Sequence, residues 1–355
     1  MSFLFNGIAF LLGAYLALIN AAATGIIAFL PSPEEGTPLA SAGESLTPIS
    51  GTPKEAIPDI LLRNADYQRA AVAESVDPSE ARSTALEALV NIYCSYTSGN
   101  YTKTTTGTGF IIDTNGVILT NAHVAQFLLL EGIVGSAQCI IRTGDPATPM
   151  YEAELLYIPP AWIREHANLI NEMSPKGTGE RDYALLYINA ALDHKPMPSR
   201  FPALPFDTDL LPTSVLNSSV FATGYPAEAL IENGTDAPLV PKQATTSIAE
   251  LMTFGSDYVD LFTIRGSQIG EHGSSGGPVV DEDGKAIGII STKGDDAKFG
   301  DGSLRAVSLS YIDRTIKEET GFSLVQNLGG DLPYRAALFK KTMIPFLQQI
   351  MEGTL

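Results

Sequence analysis

The chain reads as an all-β domain with helical flanks, and three observations predict that class. From Leu89 onward the sequence breaks into short β-type runs: LVNIYCSYT, GTGFIIDTNGVILTNAHV, AQCIIRTG, YEAELLYI, DYALLYI, SVFATGYP, DYVDLFTI, GPVVDEDGKAIGIIST and LRAVSLSYI. Gly, Asn and Asp punctuate them at regular intervals, the pattern of a sandwich or barrel rather than of alternating β/α units. Two of the runs contain their own hairpin turns, DTNG and DEDG, each suited to a positive φ at Gly116 or Gly284. Helical periodicity is confined to the stretch before Leu89, to the tail, and to one interruption at residues 159–180, where Trp162, Ile163, His166, Leu169, Ile170 and Met173 fall on one helical face. That interruption reads as a surface helix set between strands.

Taken from the N-terminus, the first 33 residues carry no charged side chain, and Phe3 to Leu30 is a nearly unbroken apolar run. As a helix it would be about 42 Å long, more than the roughly 30 Å of a bilayer core. Residues 1–31 are therefore expected to form a transmembrane anchor. A cleaved signal peptide is the competing reading, in which case the protein is secreted; Ala21-Ala22-Ala23 offers small residues, but the apolar region exceeds the usual 7–15 and GIIAFL continues beyond it. Residues 32–58, rich in Pro, Gly, Ser, Thr and Glu, have too few large apolar groups to offset ordering entropy and read as a flexible linker. Residues 59–89 hold two helical patterns, DILLRNADYQRAAVAE and SEARSTALEAL, the second with Asp77 or Ser79 as N-cap, and read as an adaptor leading into a domain at 90–320. The tail, 321–355, is expected to be helical, after a helix stopping at Gly321 and with an interruption at Pro345.

Composition narrows the function. The 355 residues, 45% hydrophobic, suffice for one large or two moderate domains. A net charge of −18 argues against binding to a phosphate backbone, which needs clustered Lys and Arg, so no nucleic-acid partner is expected. Two cysteines, Cys94 and Cys139, are too few for a disulfide scaffold or a zinc ribbon. They flank the first hairpin on neighbouring strand-like runs, where a bridge and two buried thiols are both open.

The chemistry gathers around GEHGSSGGPV, residues 270–279. A serine hydroxyl is a poor nucleophile until a base removes its proton, and histidine suits that task; a carboxylate behind the imidazole fixes its tautomer. His123 in TNAHVA and Asp182 in GERDYALLYI, each at a strand boundary, supply these types, with Asp182 preferred over Glu180 or Asp193. The glycines permit a sharp loop whose backbone N–H groups can face a developing oxyanion, Gly273 giving one donor and Ser275 the other. Gly273 to Gly277 also matches Gly-x-Ser-x-Gly, but the α/β-hydrolase elbow needs a helix after the serine and a later histidine. All four histidines, His123, His166, His194 and His272, precede Ser275.

In order, GTGFIIDTNGVILTNAHV, RDYALLYI, VFATGYP and GSSGGPVV resemble the chymotrypsin-like serine proteases, nearest the bacterial Deg/Htr branch, over about residues 90–315. The resemblance implies two six-stranded antiparallel β-barrels with the triad between them, Ser275 as nucleophile, His123 as base and Asp182 behind it. It places Ser274 where the family usually has Asn or Asp, Ser291 on the strand that pairs with substrate backbone, and Thr292 and Lys293 beside the primary specificity pocket. Ile269 at the pocket base points to small or medium aliphatic residues before the cut; His272, otherwise a solvent-exposed loop histidine, points to acidic ones, and Lys293 either meets an acidic side chain or obstructs the pocket. The family's PDZ domain does not fit the remaining tail. The expectation is a membrane-tethered, extracytoplasmic serine endopeptidase, without cofactor or metal, acting on polypeptides and serving quality control of envelope proteins. A non-catalytic binding module on the same fold is the alternative, and the retained triad residues weigh against it.

Overall fold

The computed structural model describes residues 47–48, 77–98, 101–131, 137–166, 177–234, 237–267, 269 and 272–352. The chain divides into a unit Met1–Ser45, outside the described residues, and a unit Leu46–Leu355, to which everything below refers. The expected anchor, all of the linker but Thr47–Pro48, and the first adaptor helix lie outside the described residues. Among the described residues no helix is long and apolar enough to cross a membrane.

Thirteen strands are described: β1 Thr47–Pro48, β2 Leu89–Ser98, β3 Tyr101–Asp113, β4 Val117–Thr120, β5 Gln138–Thr143, β6 Thr148–Tyr157, β7 Ala184–Ala191, β8 Ser219–Gly224, β9 Lys242–Thr253, β10 Leu261–Ile264, β11 Pro278–Val280, β12 Ala286–Lys293 and β13 Leu304–Ser308. Strands β2-β3-β4-β7-β6-β5 close into one antiparallel barrel. The second sheet runs β9-β10-β13-β12-β11-β8 and closes through a β8–β9 pairing, with β1 added outside β9. The fold is therefore two six-stranded antiparallel barrels of the chymotrypsin type. Closure removes the exposed edges that open sheets must otherwise protect. Both hairpin turns form where the sequence places them: Gly116 N–H donates to Asp113 O (2.9 Å) and Gly284 N–H to Asp281 O (3.2 Å), with φ of 87° and 77° at the glycines.

Burial follows the pleat. Ile92, Ile111, Ile118, Leu129, Ile141 and Leu186 fill the first barrel. Ile248, Phe262, Ile264, Val279, Ile290 and Leu304 fill the second. A third cluster draws on both barrels, joining Phe110, Leu119 and Leu185 to Leu261, Ile289 and Val307. At about 25 cal/mol per Å² of apolar surface removed from water, this shared core is what holds the barrels as one body.

Among the described residues, the helices of seven or more residues are α1 Pro78–Ala88, α2 Pro160–His166, α3 Leu309–Thr320 and α4 Leu332–Glu352. Asp77 caps α1, its side chain accepting from Ser79 N–H at 2.8 Å, and Gly321 in the left-handed region (φ 80°) ends α3. Helix α2 lies between strands as expected, with Trp162 and Ile163 buried in the first-barrel core and Arg164 and Glu165 exposed; the remainder of that pattern, 167–176, lies outside the described residues. One expectation needs correction. Pro345 does not interrupt the tail helix, since α4 runs through it. An internal proline costs about 3 kcal/mol, but residues on both sides are held against the first barrel: Phe339, Leu347 and Met351 join its core and Gln348 Nε2 donates to Leu129 O (2.7 Å).

Candidate active site

Strand β4 delivers His123. Its VILT is buried throughout, and the chain leaves it through Asn121 into the helical turn Ala122–Ala125, packed by Val124 and Ala125. The buried Asn121 amide donates from Nδ2 to Asp182 O at 2.9 Å, tying this turn to the start of β7. Asp182 is 3% exposed and both of its oxygens are engaged. Oδ1 accepts from the His123 backbone N–H (2.9 Å), and Oδ2 lies 2.8 Å from His123 Nδ1 and accepts from Ser291 Oγ (2.6 Å). Burial alone pushes this carboxyl upward, but the imidazole, the Ser291 hydroxyl and the backbone donor together hold it below the ordinary carboxylate value. It is therefore ionised near neutrality and can only accept. The proton between the pair sits on Nδ1, which leaves Nε2 of a neutral ring as an acceptor.

Ser275 sits on the loop between β10 and β11, partly exposed, while Ser274 beside it is fully buried. Ser274 Oγ donates to Ile269 O (3.2 Å), an internal brace for the loop. The turn relies on Gly276, whose φ is 87°: a Cβ there would lie 2.0 Å from Thr108 O. Thr108, at the centre of β3 and fully buried, is the residue that sequence reasoning overlooked. Its N–H donates to Ser275 O (2.8 Å), its Oγ1 donates to Gly273 O (2.6 Å) and accepts from Tyr225 N–H (2.9 Å). One first-barrel side chain thus clamps a second-barrel loop. On the far side, Gly276 N–H donates to Ile290 O (2.7 Å). Among the described residues, the amides of Gly273 and Ser275 have no hydrogen-bond acceptor.

His123, Asp182, Gly273 and Ser275 border one cleft of about 550 Å³. Thr105 and Thr106 of β3, Trp162 and His166 of α2, and Ser291 to Gly294 complete much of its wall. The other expected residues are placed as follows. His272 is exposed at the cleft, its O accepting from Ala227 N–H (2.8 Å). Thr292 and Lys293 line it, and Lys293 pairs with Asp296 at 2.9 Å. Ser291 is 5% exposed, with its hydroxyl turned onto Asp182. Ile269 is fully buried, packs in the second-barrel core and is not among the described residues that border the cleft. Cys94 and Cys139 form a disulfide (Cα–Cα 4.1 Å) between directly paired positions of β2 and β5. Among the described residues no cluster of His, Cys, Asp and Glu is arranged to hold a metal ion.

Two solved structures of Rv3671c from Mycobacterium tuberculosis are similar to the chain: an inactive-form serine-to-alanine mutant at 19% identity, covering 68% of this chain and 93% of that one, and an active form of the protease at 21%, covering 68% and 86%; the TM-score is 0.40 for each. No curated protein matches. The family model for the trypsin-like peptidase domain matches residues 107–289, from the first-barrel hairpin through the Ser275 loop into β12. With more than half of its length so matched, the chain belongs to the trypsin-like peptidase family.

Proposed function

We propose that the protein is a serine endopeptidase in which Ser275 attacks the substrate carbonyl carbon and His123 Nε2 takes the hydroxyl proton. The tetrahedral oxyanion is received by the N–H groups of Gly273 and Ser275. Collapse expels the amine, which leaves with the proton from His123, and the acyl group stays on Ser275 Oγ. Water then repeats the sequence, giving up its proton to His123 and releasing the acid. Asp182 stays ionised throughout and stabilises the imidazolium.

The observation that carries this reading is the His123–Asp182 pair at 2.8 Å, opening on the same cleft as Ser275 beside two unengaged amides. The uncharged apolar run Phe3–Leu30 supports a membrane anchor, and the Deg/Htr resemblance supports an extracytoplasmic domain that degrades misfolded envelope proteins. A fluorophosphonate probe applied to the full-length protein tests the chemistry. Covalent labelling at neutral pH that vanishes in Ser275→Ala is expected; well-folded protein that never labels would leave a binding module as the function.

A further inference from the structure

The charge of the cleft runs against the charge of the chain. With 40 Asp and Glu against 22 Lys and Arg, a typical stretch of this protein's surface is acidic. Among the described residues the ionisable groups bordering the cleft are instead His123, His166, His272, Lys293, Arg305 and one carboxylate, Asp182. That carboxylate is already occupied by His123 and Ser291. Lys293 is balanced by Asp296.

Arg305 is different. Among the described residues its guanidinium has no hydrogen-bond or ion-pair partner, and its Nε is shut off from solvent without an acceptor. Thr292 faces it across the β12–β13 ladder as its direct Cα partner, borders the same cleft, and likewise buries an Oγ1 without a partner. A buried donor left unpaired costs about 1–3 kcal/mol, and more when charged. Such a cost is removed when a ligand brings the acceptor. A guanidinium presents planar donors that match a carboxylate in a bidentate pair. The position is also right: the Ser275 loop is bonded to β12 through Gly276 N–H and Ile290 O, two residues before Thr292.

We infer that the cleft takes an Asp or Glu side chain of the substrate against Arg305 and Thr292, so that the enzyme cuts polypeptides next to acidic residues. This rests on the serine-peptidase reading, and the experiment separates the two. Fluorogenic peptides identical except for Glu or Gln before the scissile bond are compared on full-length protein whose Ser275 is first shown to react with the fluorophosphonate. The Glu peptide is expected to have a kcat/KM about tenfold or more above the Gln peptide, as for a site built around a specific polar group. Arg305→Gln should bring that ratio close to one while Ser275 still labels, and Arg305→Lys should restore part of it. A labelled wild-type protein that cuts both peptides equally, or prefers an aliphatic residue there, overturns the inference and leaves the peptidase intact. Protein that neither labels nor cleaves removes both. If Arg305→Gln fails to fold, the wild-type ratio decides alone.

Discussion

Asp182 concentrates the argument at the scale of single residues, because one buried carboxylate accepts a backbone N–H, a hydroxyl and an imidazole N–H at once. Asp182→Asn keeps the shape but can present an amide N–H to Nδ1, which favours the wrong tautomer and leaves Nε2 protonated. A fall in kcat of about 10³–10⁴ is expected with little change in KM, read from steady-state kinetics. Ser291→Ala removes one of the three donors without touching the imidazole and should cost only about fivefold, near 1 kcal/mol. Gly276→Ala acts differently. At φ 87° with Thr108 O 2.0 Å from any Cβ, the loop must move off β3, breaking the bond from Thr108 N–H to Ser275 O. Loss of fluorophosphonate labelling with a destabilisation of about 2–4 kcal/mol in urea is the expected outcome.

Between elements, the disulfide is the covalent tie in the first barrel. It links β2 to β5 and closes a segment of 45 residues, for which the chain-entropy model gives roughly 4 kcal/mol. A Cys94→Ser, Cys139→Ser variant should therefore unfold at lower denaturant with an unchanged cleft, checked by urea titration alongside labelling of Ser275. The elements themselves were largely legible in the sequence. Short apolar runs bounded by Gly, Asn and Asp leave few options but paired strands, and DTNG and DEDG define two of the turns. The residue types at 123, 182 and 275 were legible because acyl transfer needs all three. Thr108 was not: its value lies in reaching a loop some 165 positions away, and within TTTGTGF it reads as one more strand threonine. Arg305 was hidden likewise, since an arginine in LRAVSLSYI looks like the solvent face of an alternating strand. Pro345 misled because local helix breaking was outweighed by packing that only tertiary structure supplies.

Over the whole molecule, the acidity of the chain and the burial of some of its carboxyls set how stability depends on pH. Burial pushes Asp281 up to about 6, with Asp283 and Asp207 adding to the effect against the N–H groups of Lys285 and Asp283. Burial likewise raises Glu131 and Glu180 above their ordinary value. A carboxyl whose pKa is higher folded than unfolded binds protons more tightly in the native state. Its stabilising contribution is complete below the unfolded value and is lost as pH rises through the folded one. For Asp281 that window runs from 3.8 to about 6. Protonation over the same range also relieves the self-repulsion of a chain carrying −18. Asp182 has the opposite sign and gives up its contribution only at pH below the ordinary Asp value. The melting temperature should therefore rise as pH falls from 8 to about 5. Asp281→Asn isolates the effect, because an amide oxygen can still accept from Lys285 and Asp283 N–H without carrying charge. It should raise stability at pH 8 by about 1–2 kcal/mol, discounted for partial exposure, and change it little at pH 4. Calorimetric scans of both proteins at the two pH values check this, and an equal shift at each would show that the Asp281 charge is not the cause.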